Sequence, residues 1–121
     1  MLILTLALTV ALGQQSAETS KPEVPILKAN LGSCSAEFSV EDTDGSPVYA
    51  AAIHVRVRYG LWGIKRADLE VGTDSDGKAR IEGLPEKAKP LVYDIQKADK
   101  KAVVEQHVAE NCQASYTVSL E

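Results

Sequence analysis

The sequence has few of the residues on which most enzyme sites are built. It contains two histidines, His54 and His107, and two cysteines, Cys34 and Cys112. The histidines lack the spacing of paired metal ligands, and no Gly-x-Ser-x-Gly segment marks a serine nucleophile. The two thiols are expected to pair with each other, which removes them as nucleophiles. We therefore predict no catalytic residue, no metal site and no cofactor, and we expect a protein that is not an enzyme.

The chain also lacks a basic cluster and a long apolar run. Its formal net charge is −4, whereas nucleic-acid-binding proteins concentrate Lys and Arg on one surface. The apolar run at residues 1–12 is shorter than the roughly 20 residues that a membrane-spanning helix needs. We predict neither nucleic-acid binding nor an integral membrane span.

This N-terminal apolar run is typical of an export signal. Ala11 and Gly13 are small residues placed as a cleavage site requires, and polar residues follow at once. We predict a signal peptide over residues 1–13 and hence a secreted or periplasmic protein. A buried N-terminal strand or helix is the alternative.

The rest of the chain divides into a linker and one folded domain. Residues 14–30 are polar, include Pro22 and Pro25 and show little periodicity, which predicts a flexible linker. Residues 31–121 remain as a single domain, the size expected for one core.

The two cysteines, Cys34 and Cys112, both fall in this domain, next to strand-like segments. Because an exported chain meets an oxidising compartment, we predict a disulfide between them, with two separate buried thiols as the alternative. In the chain-entropy model, a loop of this length contributes about 4 kcal/mol, which native strain reduces.

Alternation of apolar and polar residues with a period of two dominates the domain. In the first such segment Cys34, Ala36, Phe38 and Val40 share one face and polar residues occupy the other. Residues 102–109 fit a short helix as well, but the clustered valines favour a strand. About seven short strands predict an all-β Greek-key β-sandwich. The predicted strands cover residues 34–41, 47–59, 66–71, 79–81, 91–95, 102–109 and 114–120.

Two acidic turns, residues 42–45 and 74–77, invite a calcium interpretation because each places two aspartates before a glycine. The spacing does not support it, since neither register supplies the first ligand or the final glutamate of a calcium loop. Hairpin turns explain Asp-Gly at both places.

Several segments resemble the carboxypeptidase regulatory-like domain, which has a prealbumin-like (transthyretin-like) β-sandwich. They are residues 38–40, 44–55, 73–81 and 83–85. The sequence departs from the family pattern at residues 86–90, which intervene after the Leu-Pro pair, and at Ala50, where glycine is common. The resemblance implies a prealbumin-like fold and an accessory or binding function.

Two surface features remain as candidates for a site. His54, Arg56 and Arg58 form an outward basic row, which the facing Arg66, Asp68 and Glu70 are expected to neutralise. The second is an apolar connection between two glycines, an unusual composition for a loop. Its apolar residues are Leu61, Trp62 and Ile64.

Two functional classes follow from the apolar loop. A displayed Trp62 predicts a binding module that recognises a protein or glycan partner in the cell envelope or outside the cell. A Trp62 folded over the end of the sandwich predicts a purely structural domain without a ligand. An unrecognised hydrolase of transthyretin-like fold is the less favoured alternative.

Overall fold

The computed structural model describes residues 24–87 and 89–121, and these form a sandwich of two four-stranded β-sheets. The predicted signal peptide and residues 14–23 of the predicted linker lie outside the described residues. The all-β sandwich is confirmed, with eight strands where the sequence predicts about seven. In chain order they are β1 Ile26–Lys28, β2 Cys34–Glu41, β3 Ala52–Tyr59, β4 Lys65–Gly72, β5 Lys78–Leu84, β6 Leu91–Lys97, β7 Lys100–Gln106 and β8 Gln113–Ser119.

The first sheet has the order β1-β5-β2-β8 and mixes parallel and antiparallel pairs. Strand β2 is antiparallel to β5 and parallel to β8. The disulfide between Cys34 and Cys112 joins the start of β2 to the residue that precedes β8. It therefore fastens two neighbouring strands at one end, as the sequence predicts.

The second sheet has the order β4-β3-β6-β7 and is antiparallel throughout. Strands β3 and β4 pair along their whole length, from Ala52 opposite Gly72 to Tyr59 opposite Lys65. Strand β6 pairs with β3 only from Ala52 to Val55. On the side away from β4, the last residues of β3 consequently lie beside the connection between β5 and β6 instead of beside a strand.

The core lies between the sheets and consists of the apolar positions that alternate along each strand. Phe38 of β2 meets Tyr93 of β6 edge to face, with ring centroids 4.8 Å apart. This contact joins the two sheets at the centre of the sandwich. The alternation in β2, β3, β5 and β6 thus predicts the buried face correctly; its fully buried side chains include Val55, Val57, Ile53, Ile81 and Ile95.

One buried polar group crosses the core at the end of β7. Gln106 is fully buried; its Oε1 accepts a 2.5 Å hydrogen bond from the Tyr93 hydroxyl, and its Nε2 donates to the backbone oxygens of Ser35 and Asn111. These bonds stabilise the fold, because a buried amide oxygen or N–H group without a partner is costly. Gln106 therefore fixes the registration of β7 against the first sheet.

The structure differs from the sequence prediction at the end of the linker. Residues 26–28 form β1, which pairs in parallel with β5 through Ile26 opposite Arg80. The ordered part of the domain therefore begins before residue 31. Segment 102–109, for which the sequence favours a strand over a short helix, contains the C-terminal part of strand β7, which ends at Gln106.

The residues that the structure describes include no helix long and apolar enough to cross a membrane.

Candidate functional site

The connection from β3 to β4 is a tight turn with a displayed tryptophan. Residues Leu61–Gly63 form a single 3₁₀ turn closed by a bond from the Gly63 N–H to the Gly60 oxygen, 3.1 Å long. Gly60 and Gly63 have positive φ values of 82° and 64°, which glycine adopts without steric cost. The glycines therefore let the chain reverse while the residues between them project outward.

Trp62 itself has φ 64° and ψ 12°, the left-handed region that bulky residues rarely occupy. For a residue other than glycine this backbone costs roughly 1–2 kcal/mol. Such strained positions concentrate at functional sites, where another requirement outweighs their cost. The left-handed backbone of Trp62 is therefore consistent with a functional requirement for tryptophan at this position.

The apolar side chains of this turn are displayed and do not cap the core. Trp62 is 85% exposed, Leu61 78% and Ile64 74%. A cap over the sandwich would bury the indole, so the structural interpretation of the loop does not fit. The structure thus places all three predicted site residues on the surface, at the end of the molecule where β3 finishes.

A cleft of about 320 Å³ lies beside the indole. One wall is the end of β3 and the turn, and the other is the connection between β5 and β6. The residues that line the cleft are Arg58, Tyr59, Gly60, Trp62, Gly63, Pro85, Lys87 and Lys89.

A second cleft of about 230 Å³ adjoins the first along β3 and shares Arg58 and Lys89 with it. Arg56, Pro90 and Leu91 complete its lining. The two clefts form one furrow, called here the Trp62 furrow, that follows the part of β3 not paired with β6. No Asp or Glu lines either cleft.

The β5–β6 connection is held in place by an acidic residue that does not line the furrow. The Glu86 carboxylate accepts hydrogen bonds from the backbone N–H of Ser33, 2.9 Å long, and from the Ser33 hydroxyl. These bonds, with the hydroxyl first, lower the pKa of Glu86. The Glu86 carboxylate is therefore ionised at neutral pH and hydrogen-bonded to Ser33. Its neighbours in the sequence, Pro85 and Lys87, both line the cleft.

The outward basic row of β3 is neutralised only in part. Arg56 donates to Asp68 at 3.0 Å, and His54 lies 3.7 Å from the same carboxylate. The hydrogen bond from Arg56 is the main cause of the lowered pKa of Asp68. Arg58 instead faces Arg66 on β4, so its nearest strand neighbour has the same charge. The predicted cross-strand pairing thus holds for His54 and Arg56 and not for Arg58.

The acidic turns use their carboxylates to hold the backbone. Asp74 Oδ1 accepts from the N–H groups of Asp76 and Lys78, both at 2.9 Å, and Asp44 Oδ1 accepts from that of Ser46. These are the turn contacts expected of aspartate. In the part of the chain that the structure describes, no group of three or more His, Cys, Asp or Glu side chains is arranged to hold a metal ion.

Sequence reasoning found the turn but missed the opposite wall of the furrow. Pro85, Lys87 and Lys89 belong to no periodic segment, and nothing in the alternation places them near Trp62. No periodic signal marks this wall, although residues 86–90 include two of the cations that line the furrow.

The chain matches no protein-family model and no curated protein. Solved structures do resemble it, among them 3-chlorocatechol 1,2-dioxygenase from Rhodococcus opacus 1CP, at a TM-score of 0.55 and 12% identity, over 85% of this chain and 69% of that one. Catechol 1,2-dioxygenase from Pseudomonas arvilla C-1 matches at a TM-score of 0.55 and 10% identity, over 81% of this chain and 58% of that one. The likeness is one of fold.

These structures correct one expectation of the sequence analysis. The sequence, with few histidines and no nucleophile motif, led us to expect a protein that is not an enzyme. The two solved structures named above share much of its sandwich and are dioxygenases, so this architecture is one on which enzymes are built. The expectation was wrong because it used the absence of familiar local motifs, whereas the residues of a site can come from segments far apart in the sequence.

Proposed function

We propose that this chain is an exported binding domain, secreted or periplasmic, which recognises a protein or glycan partner through Trp62 and the furrow beside it. The observation that carries the proposal is the display of the single tryptophan, 85% exposed in a left-handed backbone conformation at the mouth of a cleft. Exposed aromatic side chains supply large contact area for little loss of conformational freedom. A structural domain would have no use for this arrangement.

Export is supported by two independent features. The N-terminal apolar run has the composition of a signal peptide, and the domain contains a disulfide between Cys34 and Cys112. Disulfides persist in oxidising compartments and are rare in the cytosol. The accessory function implied by the carboxypeptidase regulatory-like resemblance agrees with this proposal. The likeness to dioxygenases concerns the fold alone, and we propose no dioxygenase activity from it.

The proposal is tested by Trp62→Ala, with Tyr49→Ala as the matched control. Tyr49 is also an exposed aromatic residue, 65% exposed, but it precedes β3 and so lies at the opposite end of that strand. Because both side chains are exposed, each substitution should change the free energy of unfolding by less than about 0.5 kcal/mol. Urea denaturation measures this.

Binding is then compared for wild type and both variants on immobilised glycans and on proteins of the native extracellular fluid. We expect the strongest wild-type signal to disappear with Trp62→Ala and to persist with Tyr49→Ala. A loss of several kcal/mol in stability together with unchanged binding would show that Trp62 is structural and would overturn the proposal.

A further inference from the structure

The Trp62 furrow is positively charged although the chain is acidic. The formal net charge of the whole sequence is −4. Arg56, Arg58, Lys87 and Lys89 line the furrow, and no carboxylate does. A cleft lined by one sign of charge concentrates a ligand of the opposite sign. The furrow is therefore suited to an anion.

Most of these cations are not engaged with acidic groups of the domain itself. Arg56 is paired with Asp68. Within residues 24–87 and 89–121, no ion pair involves Arg58, Lys87 or Lys89. The nearest acidic residue in sequence, Glu86, is bound to Ser33. Three positive charges thus line the furrow without forming an ion pair with the described residues.

The hydrogen-bonding groups of the furrow restrict the ligand further. Arginine and lysine side chains only donate hydrogen bonds, and so does the indole of Trp62. Among the lining side chains, the Tyr59 hydroxyl is the one acceptor. A carboxylate accepts from such donors, and a sugar hydroxyl can accept or donate. A peptide backbone N–H can only donate, so a peptide would leave its donors poorly matched here.

Trp62 adds a flat surface, which a ligand recognised by its charge alone would not require. The face of an indole ring is electron-rich, and the C–H groups on one side of a pyranose ring are slightly positive, so the two surfaces pack together. The indole is displayed beside the cations, and Tyr59 lines the same cleft. The arrangement combines a platform for a sugar ring with donors for its acidic group.

The shape of the furrow indicates a polymer. Its two clefts, about 320 and 230 Å³, adjoin each other and share Arg58 and Lys89. A single sugar would fill one cleft and leave the cations of the other without a partner. Successive units of a polymeric ligand would occupy both clefts.

Building on the binding function proposed above, we propose that the Trp62 furrow binds a carboxylated polysaccharide, with a pyranose ring on Trp62 and carboxylates on Arg58, Lys87 and Lys89. Acidic peptides are the competing class. They share the charge but lack the ring, so the two can be separated by experiment.

The test uses three probes and the folded full domain. Oligogalacturonate has a carboxylate on each pyranose ring, its methyl ester has the same rings without charge, and poly-L-glutamate has the charge without rings. Binding is followed through the emission of Trp62, the only tryptophan in the chain, and by isothermal titration calorimetry. We expect binding of oligogalacturonate that shifts the emission and weakens with added salt. The ester and polyglutamate should bind at least about tenfold more weakly.

Variants then assign the contacts. Trp62→Ala and the double substitution Lys87→Gln with Lys89→Gln should each lower the affinity for oligogalacturonate by about tenfold or more, measured by calorimetry. Lys97→Gln is the control, because Lys97 is an exposed lysine that lies near Tyr49 and does not line the furrow. It should leave the affinity unchanged.

Three results would overturn the inference. Polyglutamate binding as tightly as oligogalacturonate would show that charge alone is recognised and would favour an acidic peptide. Absence of oligogalacturonate binding, in a domain whose binding to another partner still requires Trp62, would reject the polysaccharide and leave the proposed binding function standing. Loss of every Trp62-dependent interaction would instead reject both.

Discussion

At the scale of single residues, Thr73 shows how one hydroxyl determines the local backbone. Thr73 is buried, and its Oγ1 donates to the Val48 oxygen at 2.6 Å and accepts from the Ala51 N–H at 2.9 Å. These two bonds fix residues 48–51, the segment through which the chain passes from β2 to β3. The hydroxyl thus satisfies two backbone groups that burial would otherwise leave unpaired.

We predict that Thr73→Val lowers the free energy of unfolding by about 1–3 kcal/mol, because it leaves a buried N–H and a buried carbonyl without a partner. The shape of the side chain is nearly unchanged, so packing contributes little. Urea denaturation measures the effect, with Thr117→Val, an exposed threonine in β8, as the control. The control should change stability by less than about 0.5 kcal/mol. Equal effects of the two substitutions would contradict the prediction.

At the scale of elements, the disulfide joins two strands that already lie side by side. Cys34 is fully buried at the start of β2, and Cys112 is separated from it by 78 residues. Closing so long a loop restricts the unfolded chain strongly, which is the main source of its stabilising effect in the chain-entropy model.

We predict that replacing both cysteines by alanine lowers the free energy of unfolding by up to about 4 kcal/mol. The comparison is made by urea denaturation of the double variant and the oxidised wild type. Non-reducing peptide mapping of exported protein should recover Cys34 joined to Cys112. Recovery of both residues as free thiols would show that the bond does not form during export.

The strands differ in how far the sequence predicts them. Strand β2 is predictable because burial of one face imposes strict alternation from Cys34 to Val40. Strand β1 is not, because its three residues are mostly exposed and depend on backbone bonds to β5, such as the 2.9 Å bond from the Arg80 N–H to the Pro25 oxygen. A short edge strand of this kind exists only once its partner is in place.

The same distinction applies to the candidate site. The turn with Trp62 is predictable from composition, since an apolar group between two glycines is unusual in a loop. The wall that contains Lys87 and Lys89 is not, because it comes from a connection that passes from one sheet to the other between β5 and β6. Its position beside β3 follows from the packing of the two sheets, and no alternation of apolar and polar residues in the sequence predicts it.

At the scale of the whole molecule, ionisation limits stability on both sides of neutral pH. Hydrogen bonds from Arg56, from Ser46 and from Ser33 lower the pKa values of Asp68, Asp44 and Glu86 respectively. Burial raises the pKa of Tyr93. The carboxylates therefore stabilise the folded state when ionised, and the tyrosine stabilises it when protonated.

The sign of the pH dependence follows from these shifts. The carboxylate contribution is complete above the ordinary values of 3.8 for Asp and 4.5 for Glu, and it is lost as the pH falls through the lower folded-state values. The Tyr93 contribution is complete below pH 10.0 and is lost as the pH rises above that value. We expect a plateau of stability between these limits, measured as urea midpoints across the range.

Two variants distinguish the acid limb of the pH–stability curve, where stability falls at low pH, from its alkaline limb, where stability falls at high pH. Asp68→Asn should flatten part of the acid limb. Tyr93→Phe should flatten only part of the alkaline limb, since burial also raises the pKa of Tyr116, and it should lower the plateau because Gln106 Oε1 loses its donor. A stability that increases as the pH falls from about 5 to 3 would contradict the assignment.

The parallel pairing of β2 with β8 also determines when the molecule can fold. Ser39 of β2 lies opposite Thr117 of β8, so the first sheet cannot be completed until β8, which begins 72 residues after β2 ends, has been synthesised. Contacts so distant in sequence make folding slow, in the range of milliseconds to seconds for domains of this class. Late folding of this kind agrees with the proposed export, because a secretion channel threads a chain that is still unfolded.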